Sequence, residues 1–372
     1  VKILYIFPEE FTGRFAREYH VFRLADSLAA AGCEVTLAAA TSPRLRTQDQ
    51  LHELFGGNLS PQLKVVWLKR GISVGPLKIR SGARFYRQLD QLVGSLKPDM
   101  AFTMHIKAAD HVSRKHPLLP LVFEAHEIFA DSYSEISARH RELLEIENRI
   151  YTHAWGIVAI SRYLADSLRK RFPIRVPLTV QHDGIDESML LKPSSNPDPH
   201  ELIYAGSLQP WKGVPVAIEA MRHLPNFHLS VLGGAGDSLK HIRKSAPPNV
   251  TFHGHLSREE MRPHLEKASI GLMPNLLEPR SALYTFPLKL LEYSAAGKGI
   301  VASQIPVFDK LNVADWVELV PSGSPEALAN GVRALALRGI SRTAAQTWAH
   351  QFLWNNQGTA MKKFLESLLV QP

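Results

Sequence analysis

Two α/β domains with parallel sheets are predicted by three observations. Short β-branched or aromatic runs alternate with helix-compatible segments, a proline-rich stretch interrupts the alternation once, and the pattern then restarts. The 372 residues, 45% of them hydrophobic, can bury two ordinary cores, whereas one domain of this length would be unusually large.

The first strand is read at Val1–Phe7, and the helix after it at 16–31, where Val21, Leu24, Ala25 and Leu28 form an apolar stripe that Gly32 can end. Further strands are expected at Glu34–Ala40, Lys64–Leu68, Met100–Met104, Leu121–Phe123, Gly156–Ile160 and Leu178–Gln181. Strands separated by helix-length segments imply parallel order with right-handed crossovers. Between Leu191 and His200 the composition, with Pro193, Pro197 and Pro199, resists both helix and strand and marks the domain boundary. Beyond it come strands Glu201–Ala205, Phe227–Leu232, Val250–His253, Ile270–Met273, Ile300–Ser303 and Val317–Leu319. Helices are placed at about Val214–His223, at 257–268, from Pro287 to Ala296, near 325–337 and at 341–370. The expected organisation is therefore a Rossmann-like domain over 1–185, a linker over 186–200, a second such domain over 201–350, and a helix over 351–372 returning toward the first. The two sheets are expected to face a central cleft.

The single cysteine, Cys33, excludes an internal disulfide framework and fits a reducing compartment. No basic leader precedes the opening strand, and no apolar run approaches the roughly 20 residues of a membrane span, so a cytoplasmic location is expected. The formal charge of +8 is concentrated early: residues 1–185 carry 25 Lys and Arg against 19 Asp and Glu. Between Glu53 and Asp90 there is no acid at all, while basic residues from Lys64 to Arg87 lie beside Trp67 and Phe85. The 64–87 stretch reads either as a surface for anionic lipid headgroups or an anionic acceptor, with peripheral attachment to the inner face of a membrane, or as a solvated basic face over core residues. Nucleic acid is not expected as a partner, because neither zinc-finger spacing nor a basic tail accompanies the charge.

In open parallel sheets ligands gather beyond the carboxyl ends of strands. Four loops meet that condition: Thr12-Gly13-Arg14, Gly206 to Gly213 with Ser207 inside it, Gly233-Gly234 onward, and Tyr284 to Lys289. Glycines there permit close approach, and free amides at helix starts can hold a diphosphate. Lys212 precedes a helix start and can neutralise a phosphate. Lys289 falls in the first turn of a helix opened by Pro287, where a cation opposes the helix dipole unless an anion lies nearby. Glu292 either pairs with Lys289 or accepts sugar hydroxyls. In the first half His126 follows a strand directly and can donate to a substrate oxygen or move a proton, with Glu124 and Glu127 placed to tune it, or it caps the next helix. No HExxH pattern occurs, and His253 with His255 makes a weak metal argument, so no metal is expected.

Together these positions resemble the retaining, nucleotide-sugar-dependent glycosyltransferases of family 4, which have the GT-B fold. Tyr204 to Gly213 looks like that family's strand and Gly-x-Leu…Lys-Gly loop, and Val231 to Gly234 like its next glycine turn. Asn249 to Gly254, with Phe252, His253 and Gly254, resembles the segment whose backbone reads the nucleobase. Phe286-Pro287-Leu288-Lys289 through Gly297 resembles the signature helix, in which Glu292 would contact donor ribose. Val158 to Leu164 and His182 to Asp186 are similar to the segments before the family's interdomain linker. Two departures stand out. Ser207 occupies the usual arginine position, which makes Lys289 and Arg14 replacements near the diphosphate. Tyr284 occupies the first position of the usual Glu-x7-Glu pair, leaving Tyr284, Thr285 or Glu278 as substitute donor contacts.

The resemblance implies transfer of a sugar from a UDP- or GDP-linked donor to an acceptor hydroxyl on a sugar, polysaccharide or glycolipid, with retention of configuration and no cofactor. Lys212, Lys289 and helix-start amides would stabilise the departing diphosphate, and His126 would line the sugar or acceptor site. A GT-B nucleotide-sugar epimerase and a non-catalytic nucleotide-sugar binding protein are the alternative readings. A dehydrogenase is disfavoured because Gly-x-Gly-x-x-Gly is absent from the first strand-turn.

Overall fold

A computed structural model describes residues 1–370 apart from 14, 43, 44, 46, 58, 59, 75, 76, 80, 81, 192–196, 235–241, 278–283 and 285; the side chains of 72–74, 77–79, 258 and 310 are also outside it. The chain divides into two compact units, Val1–Asp186 with Trp354–Pro372, and Glu187–Leu353.

The first unit contains strands β1 (Lys2–Glu10), β2 (Glu34–Ala40), β3 (Leu63–Leu68), a small hairpin of β4 (Ile72–Val74) and β5 (Leu77–Ile79), β6 (Met100–Thr103), β7 (Leu121–Ala125), β8 (Gly156–Ala159) and β9 (Leu178–Val180). Seven of them form one parallel sheet in the order β3-β2-β1-β6-β7-β8-β9. Ile3 to Phe7 and Val35 to Ala40 are buried throughout, the near-continuous apolar pattern of strands covered on both faces. The order reverses between β1 and β6, which creates a switch point beyond their carboxyl ends.

The second unit repeats this architecture with β10 (Asp198–Ala205), β11 (His228–Leu232), β12 (Val250–Gly254), β13 (Ala268–Met273), β14 (Gly299–Ser303) and β15 (Val317–Val320), in the order β12-β11-β10-β13-β14-β15. Its switch point lies between β10 and β13. Here too all strand pairs are parallel.

Three elements depart from the sequence expectation. Strand β10 begins at Asp198, inside the proline-rich stretch, because Pro199 falls where the register with β13 is interrupted between Asp198 and Leu202 and no ladder donor is demanded of it. The expected helix 341–370 is two helices, Arg342–His350 and Trp354–Leu369. Phe352 and Leu353 are buried in the turn between them, and the Trp354 amide donates to the Ile185 carbonyl at 3.1 Å instead of continuing the helix. The helix expected at Val214–His223 ends as a tighter 3-10 turn, Met221–His223, beyond Ala220.

The last helix packs within the first unit. Trp354 lies over Gly184, where a Cβ atom would stand 2.4 Å from its ring, and its indole N–H donates to the Tyr19 hydroxyl at 2.9 Å. Gly358 is pressed against Ser27 of the helix Ala16–Ala30, with a hypothetical Cβ only 2.3 Å from the Ser27 carbonyl oxygen. Glycine at this position is what allows the two helices to close together.

Candidate active site

In the second unit the candidate residues surround the switch point. Gly213, at φ 67°, sits where an added Cβ would lie 1.8 Å from the Pro274 carbonyl oxygen, just past the end of β13. Gly233, at φ 112°, would collide in the same way with the Gly206 carbonyl at 2.1 Å. Backbone bonds tie these turns together: Gly206 N–H donates to Leu232 at 2.9 Å, and Gly233 N–H to Gly254 at 2.6 Å. Gly206, Gly213, Gly233, Gly234 and Gly254 therefore line one layer of strand ends, and Ser207 joins it by accepting the Tyr204 hydroxyl through its carbonyl at 2.6 Å.

Lys212 closes the turn Pro210–Lys212 immediately before Gly213, with its ammonium 3.9 Å from the Trp211 ring centre. Burial, and secondarily the charge of Lys289, lower its pKa to about 8. Lys289 lies in the first turn of the helix Leu288–Ala295, whose N-cap Pro287 offers no side-chain hydrogen bond. It donates to Glu292, which is buried. Of the two sequence readings of Glu292, the structure shows the pairing with Lys289, whose charge also acts on Lys212.

The nucleobase-like segment is held by Asn249, whose amide donates to the carbonyls of Met221, Leu224 and Phe227 at 3.2, 2.9 and 3.0 Å. Phe252 is half-buried in β12. The His253 ring stands 4.1 Å from His264, and burial followed by the charges of His264 and His228 lowers its pKa. Tyr284 and Phe286 are buried; Arg14, Thr285 and Glu278 lie outside the described residues.

In the first unit the loop after β1 is internally satisfied. The amides of Thr12 and Gly13 both donate to one oxygen of Glu18 at 2.6 Å, and the Thr12 hydroxyl donates to the other at 2.7 Å. The anion on these amides is a carboxylate of the chain itself.

His126, just beyond β7, joins a buried ionic network. Its Nε2 is 3.5 Å from Glu124, which also contacts His20 at 2.9 Å and accepts from the Tyr5 hydroxyl at 3.4 Å. The other ring nitrogen of His20 meets Asp183 at 2.6 Å. Burial alone would push the His20 pKa down, but Glu124 and Asp183 outweigh it and raise it to about 10. The reciprocal effect of His20 holds both carboxylates below their usual range despite burial. Glu127 takes no part in this network; it accepts from the Ser132 hydroxyl at 3.1 Å. Nor does His126 cap the following turn, whose N-cap is Ile128. Sequence reasoning missed His20 and Asp183. The available signal for His20 was its place beside Val21, on the helix whose apolar stripe is buried.

The described part of the 64–87 stretch divides by polarity. Leu68 and Phe85 are buried and Trp67 packs against the core, while Lys64, Lys69 and Arg70 are exposed. These aromatic residues form no exposed apolar patch. Among the described residues no helix is long and apolar enough to cross a membrane.

Residues 18–188 match the family described as Glycosyltransferase Family 4, and residues 199–337 the family described as Glycosyl transferases group 1. The chain belongs to the GT-B glycosyltransferases of the family 4 type. A glycogen synthase of Mycobacterium tuberculosis is 25% identical to this glycosyltransferase, covering 92% of this chain and 88% of the relative. The amylovoran biosynthesis glycosyltransferase AmsK of Erwinia amylovora is 26% identical over 73% of this chain and 71% of its own. Among solved structures, Anabaena Alr3699/HepE in complex with UDP superposes with a TM-score of 0.75 at 17% identity, covering 99% of this chain and 100% of that one. The enzyme is thus a glycosyltransferase.

The network around His126 gives a pH signature. Free histidine titrates near 6.5, so the stabilisation from a His20 raised to about 10 is full below 6.5 and is lost as pH rises through 10. His20→Gln leaves Glu124 and Asp183 facing each other without a cation and is expected to destabilise the first unit by about 3–5 kcal/mol near neutral pH. In urea unfolding, the gap between wild type and variant should narrow between about pH 7 and about pH 10. A gap that stays constant across that range would contradict the assigned charge of His20.

Proposed function

We propose that the enzyme transfers a glycosyl group from a UDP- or GDP-sugar to a hydroxyl of a growing saccharide, polysaccharide or glycolipid, with retention of configuration. The observation that carries this reading is the pair of lysines at the second unit's switch point. Lys212 and Lys289 repel one another strongly enough to contribute to the lowered Lys212 pKa, and among the described residues Glu292 is the carboxylate paired with Lys289. A diphosphate would relieve that repulsion and would also meet the helix start that Pro287 leaves without a side-chain cap. Because Glu18 already satisfies the Gly13 amide, the charge of the donor falls mainly to Lys212 and Lys289, with Arg14 kept as a further candidate on the strength of the sequence alone.

In this reading the anomeric C–O bond to the diphosphate breaks as the acceptor oxygen bonds to the same face of the anomeric carbon. The acceptor proton passes to the departing phosphate oxygen. Lys212 and Lys289 stabilise the charge that grows on that oxygen, and the stabilisation is worth most in a buried, low-dielectric setting. Glu292 accepts ribose hydroxyls, and the backbone of Phe252, His253 and Gly254 reads the base. Tyr284 to Leu288 bound the donor, joined by Ser207 and the Gly206, Gly233 and Gly234 turns. His126, oriented by Glu124, meets the sugar or the acceptor. That Alr3699/HepE, of the same fold, was solved in complex with UDP supports a nucleoside-diphosphate donor in this reading.

Lys289→Met should lower transfer about 30- to 150-fold, equivalent to roughly 2–3 kcal/mol of lost transition-state stabilisation, and Lys212→Met should act similarly. Glu292→Gln should mainly weaken nucleotide binding. Steady-state transfer with a panel of UDP- and GDP-sugars, paired with nucleotide binding and a folding check, tests this. A folded Lys289→Met protein with unchanged diphosphate affinity and turnover would refute the lysine's role. Product formation without acceptor consumption would instead identify an epimerase, and binding without turnover a binding protein.

The exposed Lys64, Lys69 and Arg70 offer a basic edge to anionic headgroups or an anionic acceptor, consistent with peripheral attachment. The lipid version predicts co-sedimentation with anionic but not neutral vesicles, falling with added salt. Equal sedimentation with both, or with neither, would remove it.

A further inference from the structure

The helices Ala83–Leu96 and Ile106–Lys115 bring together three side chains that glycosyl transfer does not use. The Nε2 atoms of His111 and His116 each lie 2.7 Å from the same oxygen of Asp90. One donor atom from each residue falls within 4.8 Å of the other two. We propose that Asp90, His111 and His116 form a zinc-binding site on the first unit.

Convergence of two histidines five residues apart is not a product of helix geometry, since side chains five apart on one helix point roughly 140° away from each other. It arises because the helix ends. His116 is the C-cap, with φ −130° and ψ 56°, and this departure from helical backbone turns its ring toward the side His111 occupies. His111 is fixed from the other direction: the Tyr86 ring, four residues before Asp90 on the same helix, stacks on it with centres 4.5 Å apart and planes 25° apart. Burial favours the neutral Asp90 carboxyl, but hydrogen bonds from the two histidines outweigh it and keep the group ionised, ready to ligate.

Two imidazoles and a carboxylate suit zinc better than magnesium or calcium, which prefer all-oxygen shells. Neighbouring donors around tetrahedral zinc stand about 3.3 Å apart, given bonds of about 2.0–2.1 Å. Loading therefore needs the Asp90 oxygen to retreat by about half an ångström and both Nε2 atoms to give up their protons. Asp90 has that freedom, since its side chain is 39% exposed. His111 and His116 are partly exposed as well, which leaves the fourth position to water. The other histidine–carboxylate cluster, His20, Glu124 and His126, is a poorer candidate because His20 is held protonated between two carboxylates and has no lone pair to offer. Bound zinc would clamp the two helices and stabilise the first unit by mass action.

The test is calorimetric titration of the EDTA-stripped full chain with zinc chloride. Wild type should take up about one equivalent at this site and show a raised unfolding midpoint with zinc. His111→Gln/His116→Gln should lose that equivalent and the midpoint shift, whereas His253→Gln should keep both. If the double variant does not fold, Asp90→Asn replaces it, and the ring nitrogen resonances of His111 and His116 in wild type should move on zinc addition. No zinc uptake by wild type, equal uptake by wild type and the ligand variant, or unmoved His111 and His116 resonances would each overturn the site and leave Asp90 as a carboxylate that only hydrogen-bonds two imidazoles.

Discussion

The approach of Gly213 to the Pro274 carbonyl is the contact on which the donor-side geometry depends. With no room for a side chain at Gly213, the chain leaving β10 and the chain leaving β13 meet at backbone distance. That contact fixes the backbone from which the half-buried Lys212 emerges. The Gly233 turn repeats the device against Gly206, so three strand ends become one surface of tightly packed backbone. An open α/β sheet leaves a crevice at its switch point. Here glycine lets the backbones at that switch point approach without intervening side chains.

Electrostatics in the two units follow opposite plans. In the second unit Lys289 pairs with Glu292 and its charge bears on Lys212, so among the described residues two cations lie near one another, an arrangement that an anion would relieve. The first unit compensates its charges internally. Glu18 covers the Gly13 loop, and His20 lies between Glu124 and Asp183. The paired charges of the first unit set Glu124 against His126, whereas two like charges brought near one another in the second favour an anion between them. The same distinction explains why family resemblance and physical reasoning converge on Lys289: the sequence lacks an arginine at Ser207, and the structure places a second cation close enough to affect Lys212.

Much of this was legible from residues alone. Apolar runs such as Ile3–Phe7 and Val35–Ala40 declare themselves as buried parallel strands, and the restart after the prolines separates the two sheets. Lys289 drew notice because a cation in the first turn of a helix is an electrostatic anomaly, and the structure places it in that turn beside Glu292. What escaped the sequence was contact between distant segments. His20 stands among other polar residues of its helix, with Glu18, Arg23 and Asp26, and only folding places it between Glu124 and Asp183. Glu127, adjacent to His126, drew attention that belonged to more distant partners. The break before Trp354 depends on a long-range bond to Ile185, and the Asp90, His111 and His116 cluster depends on a helix ending at His116. Neither leaves a spacing motif.

The central claim is that Lys212 and Lys289 form an anion site for the donor diphosphate. Calorimetric titration of the full chain with UDP and GDP at about pH 8, in two buffers of different ionisation enthalpy, addresses it directly. Lys212 has its pKa near that pH when unliganded, so a diphosphate that restores its ordinary basicity should draw in about half a proton on binding. The uptake should vanish with Lys212→Met and with the parent nucleosides uridine and guanosine. Diphosphate binding without proton uptake, or with uptake unchanged in Lys212→Met, would contradict the account.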